Sequence, residues 1–314
     1  MVKPWKDSNI MFMPLYTINE FDSTTDIYGQ NLFQYSNAIY IKAPIINSTY
    51  KRLQGYFIFA DSPYLQIVDL SNWKGLKPIS LENWFSNDTD LYKVIGISDM
   101  DLSRVGNVRD MFYKCSSLKT MDIDLTGITT PDNYCFNGLF DRCLNLESVN
   151  LKALDNLPTL TQFNMVFNAC EKLTNLTIVV DTSNCTEFTS TFAGCTSLAV
   201  LNGFLSIKSF NKSITPSNFL QDYRGSKFRV FELRDLGTLE NITSHDFSRF
   251  SYWGQEEEKY PGAKQSLLNT LITYSFDRAT AGYSSCTLKL VANTKAVLTG
   301  EEIAQITAKG YTIA

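Results

Sequence analysis

Four Phe-x-x-Cys-x-x-Leu segments recur through the middle of this 314-residue chain, and that self-similarity constrains its fold more than any other feature. They are FYKCSSLKTMDI from Phe112, FDRCLNLESVNL from Phe140, FNACEKLTNLTI from Phe167 and FAGCTSLAVLNG from Phe192, spaced by 28, 27 and 25 residues. Without the cysteine, FADSPYLQIVDL from Phe59 and FSNDTDLYKVIGI from Phe85 join them upstream, and a degenerate FLQDYRGSKFRVFEL from Phe219 follows downstream. Seven repeats then fill roughly residues 37–236. A chain repeating at this period buries its apolar surface by stacking one unit on the next.

A period of about 20 to 29 residues predicts an α/β leucine-rich-repeat solenoid with stacked short strands, short helical turns and a cap at each end. In LKTMDID, Leu118, Met121 and Ile123 fit an L-x-x-L-x-L template and turn inward. Asp122 between them points out, because strand side chains alternate faces. A short helical turn over residues 105–113 is predicted to present Val105, Val108, Met111 and Phe112 to the same core. No single repeat covers that apolar face. Stacking does, so stability should sum over repeats and their interfaces.

Cys115, Cys143, Cys170 and Cys195 share one register of the repeat and are expected to form a buried spine rather than converge on a metal. Zinc ligands cluster at spacings such as C-x-x-C; no such pair occurs, so neither a metal nor a cofactor is expected. With Cys135, Cys185 and Cys286 the total is seven, an odd number that argues against a complete disulfide framework and for a reducing compartment.

With 44% hydrophobic and 19% charged residues the chain can bury a continuous core. A formal charge of -4 disfavours nucleic acid or an anionic membrane as a main partner. No apolar run reaches the roughly 18 residues a spanning helix needs, so membrane insertion is not expected. The opening MVKPWKDSNIMFMPLYTINEF lacks the basic, apolar and small-residue succession of a secretory signal. Taken as the native start, it predicts synthesis in the cytoplasm without the usual export route, and unmodified sequons at Asn47, Asn87, Asn175, Asn184, Asn211 and Asn241.

Residues 1–36 are rich in Asn, Asp, Ser, Thr and aromatics without a clear period, as suits an extended arm or a strand-like N-terminal cap. Residues 237–314 are expected to form an irregular loop and a C-terminal cap. SYWGQEEEKYPG reads as a loop, and AKQSLLNTLITYS as a helix. The end combines a strand, CTLKLV, with a helix begun by a Thr299–Glu302 capping box and stopped at Gly310.

These repeats, with a turn ahead of Phe and a strand behind Leu, resemble the BspA-like leucine-rich repeats of bacterial surface proteins. The closing LTGEEIAQITAKGYTIA is similar to the tail that often ends such chains in gut Bacteroidetes and their phages. The resemblance covers about two thirds of the chain as repeats, plus the tail. It implies either a cell-surface adhesin binding host protein or glycan, or a phage virion structural protein such as a head or tail fibre or a decoration protein. Adhesin-type repeats without an export signal favour the virion surface, since virions assemble in the cytoplasm and leave by lysis. Residues 1–36 are then the candidate arm for docking on other virion or surface proteins, and a homo-oligomer is compatible with this.

Little in the sequence suggests an enzyme, and no catalytic residue is assigned. The single histidine, His245 in ITSHDFSRF, is expected to be a surface or loop residue. Carboxylate pairs such as Asp99 with Asp101 and Asp122 with Asp124 fall on strand rows and read as a solvated face. Binding has better support. The exposed central row is predicted to run Asp69, Gly96, Asp122, Asn150, Thr177 and Asn202, a smooth polar face without the aromatic platforms sugars usually need. Aromatics outside the repeat pattern, Trp73, Trp84, Tyr92, Trp253 and Tyr260, either fill caps and gaps between irregular coils or contact a glycan or partner. A non-enzymatic binding or assembly module is the expectation.

Overall fold

A computed structural model describes residues 31–43, 45–46, 52–154, 156–215, 219 and 227–314, together with the strand pairs 17–18 and 27–28. Every strand pairing among them is parallel. Near the N-terminus β1 (Thr17–Ile18) pairs with β4 (Ile45–Ile46), and β2 (Ile27–Tyr28) with β5 (Arg52–Gln54), which pairs in turn with β7 (Lys77–Pro78). β3 (Tyr40–Lys42), β6 (Ile67–Asp69) and β8 (Lys93–Ile95) form a second sheet. β9 (Thr120–Asp124), β10 (Ser148–Lys152), β11 (Asn175–Val179) and β12 (Val200–Gly203) form a third. Partners lie one repeat apart, so Asp122, Asn150, Thr177 and Asn202 stand level. The inward positions Met121 and Ile123 are buried while Thr120, Asp122 and Asp124 are exposed, as alternation requires.

The segment before each strand is not helical. The apolar spacing of Val105, Val108, Met111 and Phe112 suits a helix, but the backbone turns left-handed on both sides of the phenylalanine. Two residues before it stand Asn31, Phe57, Asn83, Asp110, Gly138, Met165 and Ser190, and two after it Tyr35, Asp61, Asn87, Lys114, Arg142, Ala169 and Gly194, all at positive φ. A left-handed residue every fourth position breaks an i→i−4 ladder. Instead the amides point at the next repeat: Asp110, Phe112 and Lys114 donate to the carbonyls of Asn137, Leu139 and Asp141 at 3.0, 3.0 and 2.8 Å. Asn, Asp and Gly tolerate this conformation. Met165, Arg142 and Ala169 are held in it by the bonds between repeats.

Inside, one phenylalanine per repeat builds a continuous stack. Phe33, Phe59, Phe85, Phe112, Phe140, Phe167 and Phe192 follow one another at 5.3 to 5.9 Å between ring centroids, all within 13° of parallel. Phe33 extends the series one repeat further towards the N-terminus than the sequence suggested, taking residues 31–36 out of the arm. Beyond Phe192 the stack ends on the edges of Phe228 and Phe231, tilted by 80° and 89°. The rest of the segment read as an arm lies outside the described residues, apart from β1 and β2.

The cysteine register is a hydrogen-bonded spine. Cys115, Cys143, Cys170 and Cys195 are buried free thiols that donate to the carbonyls of Phe85, Phe112, Phe140 and Phe167 at 2.9 to 3.2 Å. Ser62 occupies the same register and donates to Phe33 at 3.3 Å. The side chain also accepts from the same position one repeat earlier, as the Ser62 hydroxyl does from the Ser36 amide at 2.9 Å. Burial pushes the Cys143 thiol up from its usual value, so it stays protonated and able to donate.

The C-terminal region is more regular than an irregular loop. β13 (Leu205–Ser206) pairs with β14 (Leu233–Arg234), and β15 (Ser244–Asp246), β16 (Cys286–Lys289) and β17 (Tyr311–Ile313) form a last parallel sheet. Helix α1 (Ala263–Leu268) follows the acidic loop, whose Glu257 accepts from the amides of Gly262 and Lys264 at 2.6 and 2.8 Å. After α2 (Ala292–Lys295) comes α3 (Gly300–Ala308), which carries the capping box: Glu302 N–H donates to Thr299 Oγ1 at 3.2 Å and Thr299 N–H to Glu302 Oε2 at 2.7 Å. The fully buried Arg278 ties the region together by donating to the carbonyls of Gly237, Leu239, Glu240 and Ser284. No helix among the described residues is long and apolar enough to cross a membrane.

Candidate functional site

The outward row of the sheets carries small polar side chains that bond along the stack. Asn150 Nδ2 donates to Asp122 Oδ1 at 2.9 Å, and Asn202 Nδ2 to Asn175 Oδ1 at 2.9 Å. Asn150 Oδ1 is sheltered and has no partner among the described residues. Asp69 is engaged differently, by Lys42 Nζ at 3.2 Å and the Ser71 amide at 2.9 Å. Burial is the largest single influence and pushes its carboxyl up, but the Ser71 and Lys42 bonds together outweigh it and hold the group below its usual value.

Gly96 does not belong to this row. Ile95 stands level with Asp69, and Gly96 follows it in a left-handed conformation at φ +87°. Between buried Val68 and Leu70, or Met121 and Ile123, there is one outward residue; between Val94 and buried Ile97 there are two. The extra residue is a bulge, and Gly is required there because a Cβ would meet Leu70 C and Ser71 N at 3.1 Å.

The ladder is interrupted at this repeat, where β8 does not pair with β9. The amides of Tyr92, Glu147, Thr174 and Ala199 donate to the equivalent position one repeat earlier, at Gln66, Lys119, Glu147 and Thr174. Among the described residues no such bond joins Lys119 to Tyr92. Beside this missing rung lies an open groove of about 710 Å³ lined by Gln66, Asp90, Tyr92, Ser117, Lys119 and Thr120. A smaller depression of about 270 Å³ continues from Thr120 across Asp122, Asn150 and Thr177, with Met121 and Val149 also in its lining. Tyr92 is 48% exposed. Unlike Asp69, Asp122, Asn150 and Asn202 in the central row, the side chains lining the groove make no side-chain hydrogen bonds among the described residues.

Of the aromatics singled out in the sequence, only Tyr92 reaches this site. Trp73, Trp84 and Trp253 are buried core residues, and the last two satisfy their indole N–H groups on the Gly55 and Phe231 carbonyls at 3.0 and 2.8 Å. They fill gaps between repeats, which excludes them as contacts. Tyr260 is half-buried and faces the Arg229 guanidinium, as Tyr252 does, with Glu256 closing the cluster at 2.8 Å. His245, expected at the surface, is buried in β15, where Nδ1 accepts from the Ile214 amide at 3.1 Å. Burial, with Arg278 nearby, pushes its pKa down to about 4, so the ring is neutral. Among the described residues no group of His, Cys, Asp and Glu could hold a metal ion. Sequence reasoning missed Gln66, Asp90, Ser117, Lys119 and Thr120, whose only signal was the extra residue at Gly96.

A family described as "Mycoplasma protein of unknown function, DUF285" matches residues 53–199 and, a second time, residues 135–218. The chain belongs to this family. That one DUF285 pattern fits twice, in overlapping stretches, agrees with repeats that are interchangeable in register. The matched stretch contains the stacked phenylalanines from Phe59 to Phe192 and the whole groove. No curated protein and no solved structure matches the chain.

Proposed function

We propose that this DUF285 chain is a leucine-rich-repeat solenoid of the BspA-like kind and acts as a non-enzymatic binding or assembly module. The observation that carries the reading is the groove at the missing rung, continued by a polar strand face: uncommitted hydrogen-bonding groups gathered on a rigid stack. We favour a place on the surface of a phage particle; the closing segment from Leu298, which resembles a tail found in gut Bacteroidetes and in their phages alike, suits that place and a bacterial surface equally. A cell-surface adhesin is the second reading, and the exposed Tyr92 favours it, since an aromatic ring among polar groups suits ligand recognition.

Peptide mass spectrometry of gradient-purified particles, run beside protease-shaved bacterial surfaces from the same culture, separates the two. Stoichiometric peptides in particles support the virion reading; peptides from shaved cells alone replace it with the adhesin. The N-terminal segment is the proposed docking arm. Deleting residues 1–30 removes β1 and β2 from the ends of their sheets but leaves Phe33 in place, and should abolish assembly while the repeats from Phe33 onward stay folded. Loss of the repeat fold on that deletion refutes a separate arm.

A further inference from the structure

The groove's chemistry narrows its ligand, and the inference rests on the binding reading above. We propose that it takes a neutral oligosaccharide. Tyr92 supplies the flat ring on which the apolar C–H face of a sugar can lie, and about half of that residue is open to solvent. Around it, Asp90 offers acceptors, Lys119 donors, and Gln66, Ser117 and Thr120 both, the mixture that a ring of hydroxyl groups needs. One carboxylate set against one ammonium leaves no net charge to select a phosphate or a polycation. Among the described residues no Leu, Ile, Val or Met lines the groove; its apolar surface comes from the Tyr92 ring, the alkyl stems of Lys119 and Gln66 and the Thr120 methyl, interleaved with polar groups as the C–H and O–H faces of a sugar require. Its volume of about 710 Å³ falls in the range of small-ligand sites, and its continuation through Thr120 lets a chain of several sugar units run across the strands.

An added peptide strand fits less well. The repeats on either side of the missing rung are tied at both ends, by Ser117 N–H on the Thr89 carbonyl at 3.0 Å and by Ser98 Oγ on the Asp124 carbonyl at 3.3 Å. The gap is an interior fault, not an open sheet edge of the kind that accepts another strand.

The test uses the full chain, titrated calorimetrically and by saturation-transfer NMR against neutral oligosaccharides of roughly three to six hexose or N-acetylhexosamine units. At least one should bind, and Tyr92→Ala should weaken it by about tenfold or more. Asp90→Asn should weaken it too, whereas Tyr274→Ala, a 38% exposed ring elsewhere, should not. Circular dichroism and unchanged thermal unfolding establish that the variants fold. No saccharide binding, or equal affinity in Tyr92→Ala, overturns the proposal. Binding to bacterial surfaces or particles that Tyr92→Ala abolishes but no saccharide competes for also overturns it, while leaving the binding-module reading intact. An extended peptide captured in the groove has the same consequence.

Discussion

Asp88 sits in the register of the buried thiols and is the faulty member of the spine, so replacing it by asparagine should stabilise the protein. Its Oδ1 accepts from the Ser62 amide at 2.8 Å, as its neighbours accept, but Oδ2 is buried without a partner. Where Cys115 and Ser62 donate to the Phe85 and Phe33 carbonyls, Asp88 can serve the Phe59 carbonyl only while it holds a proton, which an ionised carboxylate has lost. Asparagine keeps the shape and the acceptor and adds the missing donor. Relief of one unsatisfied buried oxygen, plus one new bond, is worth about 1–3 kcal/mol. The effect must depend on pH. Burial, reinforced by the nearby Asp61 charge and only partly countered by the Ser62 bond, raises the Asp88 carboxyl well above its usual value. The native state therefore holds a proton that the unfolded state releases above about pH 4, and wild-type stability falls as pH rises through that range. The variant lacks this loss. Urea unfolding at pH 4.5, 6 and 8 should show the advantage of Asp88→Asn growing with pH. An advantage that is constant, or a variant less stable than wild type at pH 8, refutes the argument.

Three further outcomes follow from the same geometry. Phe112→Ala removes a ring stacked on both sides at 5.4 Å and should cost about 3–5 kcal/mol, read as a lower urea midpoint. Met165 is 42% exposed at φ +52°, so Met165→Gly should relieve left-handed strain and raise thermal stability, by about 1 kcal/mol. His245 has a folded pKa of about 4, below its ordinary unfolded value, so it supports the fold while neutral. Stability should drop as pH falls from about 6.5 towards 4, and His245→Gln should flatten that slope in calorimetric scans.

The stack was legible because its signal is periodic. Phe, Cys and Leu return at fixed offsets, and the inward positions of β9 to β11 fall where an alternating strand puts them. Phe33 escaped notice although it lies 26 residues before Phe59, because Ile39 stands where the other repeats have leucine and the surrounding composition looks like an arm. Ser36 and Ser62 show that the register demands a buried group able to exchange hydrogen bonds, not sulfur as such. The turns were misread for another reason: apolar spacing at three and four residues reports which side chains go inward, not the sign of φ. The clue was the recurrence of Asn31, Asn83, Asp110 and Gly138 two residues ahead of the phenylalanine.

The candidate site was hard to see because it lies where the pattern fails. A repeat that fits its neighbours pairs its amides and forms a smooth face, and its polar side chains bond to those above and below, as Asn150 does with Asp122. Such a surface offers few free groups. One residue inserted after Ile95 throws the chain beyond β8 out of step with its counterpart beyond Asp122; β8 and β9 do not pair, and Tyr92 stands beside the missing rung among side chains with no other bonds. Deleting Gly96 should therefore restore register, lengthen the sheet across this fault and close the groove. Amide exchange at Lys119 should slow in that variant, and any ligand dependent on Tyr92 should be lost. Unchanged exchange at Lys119 refutes the bulge as the cause of the gap.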